Sequence, residues 1–253
     1  MLAEGAQNLE NELCRVNRAL DRSRRATNPG FFGKDGTVIR KDKLPTELLT
    51  TGGRRKWNKS NGYRKLERRR LVLLRKQARL REQRHHELAN RILSQGDRFI
   101  IEDMDFPALA KKAKEARKSA KTGKYVCRKR FGKSIANRAP ARFVDILEKK
   151  ASENGAMFYR VSTFKTKASQ YNHITDEYHK KKLSARWDVM PDGTKVQRDL
   201  YSAFLLQHVD DTLENYDKEA LVIDFPSFLA LHTREVERLK HTDMPSSCGI
   251  KKL

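Results

Sequence analysis

Apolar residues recur at helical spacing in two long stretches of the first half of the chain. Residues 6–27 carry leucine and valine three or four positions apart, which predicts a helix that ends before Pro29. Residues 62–95 repeat leucine every seven positions among Arg, Lys and Gln, which predicts a long basic helix with Gly96 as its cap. The residues between the two helices are rich in glycine and proline, which predicts a loop.

The period of the pattern changes after Gly96. Residues 98–104 and 156–163 are short, apolar and partly β-branched, which predicts two buried strands. An amphipathic helix is predicted between them, over residues 137–153, and a polar loop follows over residues 165–197. Strands that alternate with helices predict an α/β fold.

The last part of the chain is predicted to be mostly helical. Arg198-Asp199 opens a helix that has an apolar side, and residues 228–240 predict another helix. Between them, the short apolar run Leu221-Val222-Ile223 is compatible with a strand.

The net charge restricts the partners of the protein. Lys and Arg number 55 against 32 Asp and Glu in 253 residues, which gives a formal net charge of +23. Residues 54–84 hold 14 basic and 2 acidic side chains, and residues 111–138 hold 12 basic and 1 acidic. The positive charges within such a block repel one another unless an anionic polymer neutralises them. Nucleic acid is such a polymer, because Lys and Arg bind its phosphates with release of counterions. The alternative for any one block is a solvated charged face.

Two classes of protein are excluded by the sequence. No run approaches the roughly 18 apolar residues that span a bilayer, which excludes a membrane-spanning protein. An anionic membrane surface is the weaker competitor to nucleic acid as a partner, because the basic blocks lack the apolar face of an interfacial helix. Cys14, Cys127 and Cys248 are odd in number and far apart, which excludes a disulfide framework and indicates a reducing compartment.

Two carboxylates occupy the ends of predicted elements. Glu102 follows the first apolar strand, and Asp199 begins a helix after the long polar loop. Carboxylates on rigid elements near a basic groove are suited to hold the divalent metal ions that promote phosphodiester cleavage. The alternatives are that Asp199 only caps its helix and that Glu102 pairs with a nearby arginine.

Four short motifs follow one another along the chain: IIEDMDF at residues 100–106, a basic linker and helix at residues 128–151, Ser169-Gln170, and QRDLYSAFLL at residues 197–206. In this order and spacing they resemble the TnpB-type proteins of bacterial insertion sequences, which are relatives of type V CRISPR effectors. With the Arg-rich helix before them, the matches cover about residues 5–240.

The resemblance implies an α/β fold of the RNase H-like (RuvC-like) type with a long basic helix inserted. Residues 1–95 would form the helical, basic insertion of the nuclease domain. Residues 96–215 would form the RuvC-like core with a zinc-free loop at 165–197, and residues 216–253 a C-terminal tail.

The resemblance also implies a catalytic activity, partners and a cellular location. Glu102 and Asp199 would be catalytic residues that hold Mg²⁺ ions during DNA strand cleavage. The partners would be DNA and a guide-type RNA, in a transposon-associated protein of the bacterial cytoplasm and nucleoid. Two rival hypotheses are a non-enzymatic DNA- or RNA-binding protein with a degenerate nuclease site, and a ribosome-associated RNA-binding protein without carboxylate chemistry.

Two departures from the family pattern bear on this chemistry. The family's first catalytic Asp lies in a Gly-Ile-Asp-x-Gly segment that this sequence lacks, so we expect a fold incomplete at the N-terminus. The missing N-terminal segment is then a candidate partner, and the chain alone is expected to be inactive. The family's zinc ribbon is also missing, because no cysteine lies between residues 128 and 247, and no zinc is expected. His173 and His179 are interpreted as surface or hydrogen-bonding residues.

The two basic blocks supply the candidate nucleic-acid-binding residues. Trp57 and Tyr63 lie among cations and suit base stacking, although packing of Trp57 onto the helix is the preferred interpretation. The candidate binding residues are Arg54, Arg55, Lys56, Arg68, Arg69, Arg75, Arg128, Lys129, Arg130 and Lys133.

Overall fold

A computed structural model describes residues 4–34, 36–111, 115, 118–120, 122–123, 132–182, 184–242 and 248–252. The chain is mixed α/β, as the sequence predicts, and it divides into two units, residues 2–85 and 86–253. In the described part of the chain, the helices are all too short or too polar to cross a bilayer.

In the first unit, one helix packs through its apolar side against the first part of a second helix, which continues beyond residue 85. Helix α1 spans Glu4–Thr27, and helix α2 spans Asn61–Leu93, which confirms both predicted helices. Three short 3₁₀ turns lie between them, at Pro29–Phe31, Lys41–Lys43 and Thr46–Leu48. The buried core of this unit consists of Leu13, Val16, Leu20, Tyr63 and Leu73.

One buried side chain fastens the loop that joins α1 to α2. The Nδ2 group of Asn28 donates to the carbonyl oxygens of Arg24 at 2.9 Å and Asn58 at 3.0 Å. The Oδ1 atom of Asn28 accepts from the backbone N–H of Asn58 at 2.7 Å. Trp57 packs on Phe31 with ring centroids 4.5 Å apart, and the guanidinium of Arg24 lies over its ring. The packing interpretation of Trp57 is therefore confirmed.

A pair of parallel strands lies at the centre of the second unit. Strand β1 spans Arg98–Asp103 and strand β2 spans Met157–Ser162, and Glu102 lies opposite Val161. Parallel strands need a crossover connection, and this one includes a helix that packs on the sheet. Among its described residues, the crossover has helices α3 at Phe106–Ala110, α4 at Gly132–Arg138 and α5 at Pro140–Glu153.

Two small hairpins occupy the region that the sequence predicts to be a polar loop. A short helical turn, α6, spans Thr163–Thr166 directly after β2. The second hairpin turns at Met190 and Gly193, and the Gly193 N–H donates to the carbonyl of Met190 at 2.9 Å. The hairpin strands are β3 at Tyr171–Asn172, β4 at Glu177–Tyr178, β5 at Trp187–Val189 and β6 at Lys195–Gln197.

The last two helices correct one prediction. Helix α7 spans Arg198–Gln207, as predicted, and helix α8 spans Lys218–Lys240. The interpretation of Leu221-Val222-Ile223 as a strand is wrong, because these residues lie in the first turns of α8. The Asp217 carboxylate caps that helix by accepting from the N–H of Ala220 at 3.0 Å.

The main core of the second unit is assembled from β2, both hairpins and the last two helices. Aromatic rings dominate it, and the rings of Phe204 and Phe228 stack with centroids 4.5 Å apart. Its most deeply buried residues are Val161, Tyr171, Val196, Tyr201, Leu205 and Leu221.

Candidate functional site

Glu102 lies at the carboxyl end of β1, next to the carboxyl end of β2. Its side chain is half-buried, and this burial raises the pKa of the carboxyl group above its ordinary value. Within the described residues, no hydrogen bond or ion pair compensates that burial. The alternative in which Glu102 pairs with an arginine is therefore not seen in this part of the chain.

Asp199 is the second residue of α7 and does not cap it. The cap is Gln197, whose Oε1 accepts from the N–H of Leu200 at 2.8 Å, so the N-cap interpretation of Asp199 is wrong. The Oδ2 of Asp199 accepts from Nε2 of Gln197 at 3.3 Å. The guanidinium groups of Arg186 and Arg198 lie 4.0 Å and 3.7 Å away, and 59% of the Asp199 side chain stays exposed. The carboxylate is thus oriented by its neighbours and open to a ligand.

A single cavity brings Glu102 and Asp199 together. It has a volume of about 520 Å³ and lies within the second unit. Ser169-Gln170 also lines it, so three of the four motifs that carry the family resemblance meet at one place. The remaining lining residues are Lys180, Lys181, Arg198, Ser202, Ala203 and Leu206.

The cavity wall contains cations as well as carboxylates. Arg198 is 9% exposed, and its buried Nε makes no hydrogen bond within the described residues. Lys181 donates to the carboxylate of Asp188 at 2.7 Å, whereas Lys180 is exposed at the rim. That Nε lies 3.7 Å from Oδ1 of Asp199, so a carboxylate already faces this buried guanidinium.

The oxygen atoms that line the cavity suit Mg²⁺ in chemistry but form an incomplete acidic set. Mg²⁺ prefers hard oxygen ligands and is commonly held by one or two carboxylates together with water and substrate phosphates. Glu102 and Asp199 meet that description for one ion. Among the residues that the structure describes, no group of three or more His, Cys, Asp or Glu could hold a metal ion.

The two histidines of the loop at 165–197 take part in hydrogen bonds. His173 is buried, and its Nδ1 lies 2.6 Å from the hydroxyl of Tyr201. His179 is exposed, and its Nε2 lies 2.9 Å from the Glu177 carboxylate. Both positions agree with the interpretation of these histidines as hydrogen-bonding residues.

The candidate nucleic-acid-binding residues divide into exposed and engaged side chains. Arg54, Lys56, Arg68 and Arg75 are exposed. Arg55 is half-buried and donates to the carbonyl of Ile39 at 2.8 Å, so it holds the loop.

Arg69 also has a protein partner, because its Nη2 donates to Oε1 of Glu12 at 2.5 Å. Arg128, Lys129 and Arg130 lie outside the described residues, and only the backbone of Lys133 is described.

Sequence reasoning missed the cations of the cavity. Arg198 stands directly before the predicted Asp199, and Lys180 lies in a run of three lysines, yet neither was singled out. The signal that could have identified them is their positive charge within a loop and a helix that contain two of the motifs. What the sequence does not contain is the packing that turns Arg198 inward.

Comparison with known proteins adds no further assignment. No protein-family model matches the chain, and a search of curated proteins finds no match.

Proposed function

We propose that this protein binds nucleic acid and uses Glu102 and Asp199 as carboxylates of a metal-dependent, RuvC-like nuclease site. The observation that carries the proposal is the cavity in which Glu102, Ser169-Gln170 and Asp199 meet. These segments are far apart in the sequence, and they are the ones on which the resemblance to TnpB-type proteins rests. The net charge of +23 supports nucleic acid as the partner.

The chain's own residues have separate tasks in this proposal. Glu102 and Asp199 hold Mg²⁺, and the half-buried Glu102 loses its desolvation cost when a cation neutralises it. Arg198 and Lys180 bind phosphate oxygens of the substrate backbone. A bound Mg²⁺ supplies Lewis-acid activation of water and stabilisation of the leaving oxygen.

The third carboxylate of the site is proposed to arrive on an added strand beside β1. In the described residues, β1 pairs only with β2, so its other edge has free N–H and C=O groups. A groove of about 710 Å³ runs along Arg98–Ile101 and is flanked by Phe143 of α5 and Leu206 of α7. An apolar strand that enters this groove parallel to β1 would bring its carboxyl end to the same edge as Glu102.

A second candidate function is nucleic-acid binding without cleavage. It is favoured by the contacts of Asp199, which already has Gln197, Arg186 and Arg198 as neighbours. In that case this chain would be a relative of the TnpB-type, transposon-encoded proteins of the bacterial nucleoid. It would retain only the basic surface and not the nuclease activity.

The two candidates are separated by a cleavage assay on purified protein with DNA, guide-type RNA and Mg²⁺ or Mn²⁺. We expect the 253-residue chain to bind DNA without cutting it. A chain extended upstream by a strand bearing Gly-Ile-Asp-x-Gly is expected to cut, and Glu102→Gln or Asp199→Asn to abolish the cutting. If the extended chain does not cut, the binding-only function stands.

Cleavage by the chain alone would disprove the need for an added strand. Asp224 would then be the first carboxylate to test, although it lies on α8 and its Oδ2 is 2.9 Å from Nε2 of His208.

A further inference from the structure

Phe164 is the most exposed large apolar side chain in the described part of the second unit. Its exposed fraction is 86%, whereas the other exposed apolar side chains of the unit reach at most 74%, at Ile223. It lies in α6, directly after the carboxyl end of β2. A phenylalanine that is left in water at this edge of the sheet needs an explanation.

The exposure of Phe164 does not come from a loose segment. Thr166 is fully buried, and its Oγ1 donates to the carbonyl of Ser162 at 3.1 Å. The hydroxyl of Tyr216 donates to the carbonyl of Thr166 at 2.8 Å, and Ala168 is fully buried as well. The turn is therefore anchored on both sides of a ring that faces the solvent.

Phe164 follows the strand end that lies beside Glu102, and it stands outside the lining of the cavity. Glu102 lies opposite Val161 in the parallel register, and Phe164 follows three residues after Val161. Lys167 and Lys180 supply positive charge near this edge, whereas Lys165, which follows the ring in sequence, is ion-paired with Glu214.

We propose that Phe164 stacks on a base of a single-stranded nucleic acid whose backbone enters the cavity of Glu102 and Asp199. This inference rests on the proposed function for the position of the backbone. Base stacking on an aromatic ring among cations is a common mode of single-strand binding, and it requires an unpaired base because duplex bases are already stacked.

The charge favours a nucleobase over a protein surface. A second copy of this chain also carries a net charge of +23 and is repelled. A protein hot spot is surrounded by contacts that exclude water, whereas Phe164 has lysines as its neighbours in sequence.

The test measures binding of the full chain to labelled DNA and RNA oligonucleotides, each as a single strand and as a duplex. Phe164→Ala is expected to weaken single-strand binding by about 5- to 100-fold and to change duplex binding far less. The log–log salt slope is expected to stay the same, since no phosphate contact is lost. Comparison of the DNA and RNA oligonucleotides shows which of the two nucleic acids the ring contacts.

Three further variants make the test specific to the ring. Phe164→Leu keeps the apolar character without the π-face and is expected to lose as much affinity as Phe164→Ala, whereas Phe164→Trp retains binding. The control is Ile223→Ala, which removes the next most exposed apolar side chain in the described part of the second unit and is expected to leave affinity unchanged.

The inference is overturned if Phe164→Ala binds single strands like the wild type, or if Phe164→Leu retains full affinity. It is also overturned if Phe164→Ala changes only self-association in sedimentation velocity. Failure of the nuclease proposal is seen separately, as an absence of metal-dependent cleavage by the extended chain while the Phe164 effect persists.

Discussion

The backbone N–H of Gln197 donates to Nε2 of His232 at 2.8 Å, and both residues are buried. An imidazole nitrogen that accepts a hydrogen bond carries no proton, so His232 is neutral in the folded protein. Gln197 caps α7, and Asp199 follows two residues later. The hydrogen bond from Gln197 to His232 of α8 therefore holds the start of α7, and it requires an unprotonated Nε2.

We expect the protein to lose stability in mild acid. Burial lowers the pKa of His232, and burial together with nearby His208 lowers the pKa of His173. The unfolded chain takes up these protons near pH 6.5, whereas the folded chain takes them up only at lower pH. The free energy of unfolding should therefore be highest above about pH 7 and fall as the pH decreases below about 6.5. Urea unfolding curves across this range measure the effect.

The matched variants for this prediction are His232→Gln and His179→Gln. A glutamine at residue 232 keeps an acceptor oxygen but does not titrate, so part of the pH dependence should disappear. His179 is exposed, so its replacement controls for the loss of a histidine at a surface position. An identical profile for wild type and His232→Gln would contradict the assignment.

Glu102→Gln is expected to leave the free energy of unfolding at pH 7.5 unchanged or to increase it, because the variant removes a carboxylate whose pKa is raised by burial. The same variant should weaken Mn²⁺ binding, measured by titration calorimetry. The control is Asp103→Asn, at the exposed end of the same strand. A marked loss of stability in Glu102→Gln would indicate a structural role for the carboxylate.

The salt dependence of DNA binding should separate exposed from engaged arginines of the first basic block. Arg68→Gln and Arg75→Gln are expected to reduce the log–log salt slope by about 0.9 for each lost phosphate contact, without a change in melting temperature. Arg55→Gln should instead destabilise the protein by about 1–3 kcal/mol, because the Ile39 carbonyl loses its donor. An unchanged slope in the double variant of Arg68 and Arg75 would remove these residues from the interface.

Gly249→Ala is expected to destabilise the protein by about 1–3 kcal/mol. Gly249 has a φ of 77°, and an added Cβ would lie 2.4 Å from Cβ of Arg186. The carbonyls of Gly249 and Cys248 accept from Trp187 at 2.8 Å and Gln197 at 3.1 Å, so the strain reaches the cap of α7. Thermal unfolding measures the loss, and Gly96→Ala, with open space around it, should be close to neutral.

We expect a chelator to leave the melting temperature unchanged. The hairpins that occupy residues 165–197 are held by buried Tyr171, Met190 and Val196, and the chain has no cysteine from residue 128 to 247. Elemental analysis that found one tightly bound zinc per chain would refute this expectation.

Local periodicity accounts for the parts of the fold that the sequence predicted. The leucines that repeat along α2 include Leu73, which is buried, and the β-branched run ahead of Glu102 is a strand. The strand prediction at Leu221 is wrong because a run of three apolar residues is compatible with a strand and with a buried helical turn. Only the wider spacing of Leu221, Phe225 and Phe228 along one face identifies the helix.

For a related reason, the sequence predicts the carboxylates of the candidate site but not the contacts around them. Glu102 and Asp199 stand at element ends and belong to motifs, so the sequence identifies both. The inward turn of Arg198 and the bond from Gln197 to His232 depend on how α7 and α8 pack, and no local pattern encodes that contact.

The wide separation of the cavity's segments along the chain has a consequence for the order in which the protein folds. Glu102, Ser169-Gln170 and Asp199 come together only after two long stretches of chain have been closed into loops, and loop closure costs entropy before any contact forms. Helix α2, by contrast, needs only contacts between neighbouring turns. The basic helix is therefore expected to be in place early and the cavity late, so that a nascent chain can attract nucleic acid before it has a site in which to hold it.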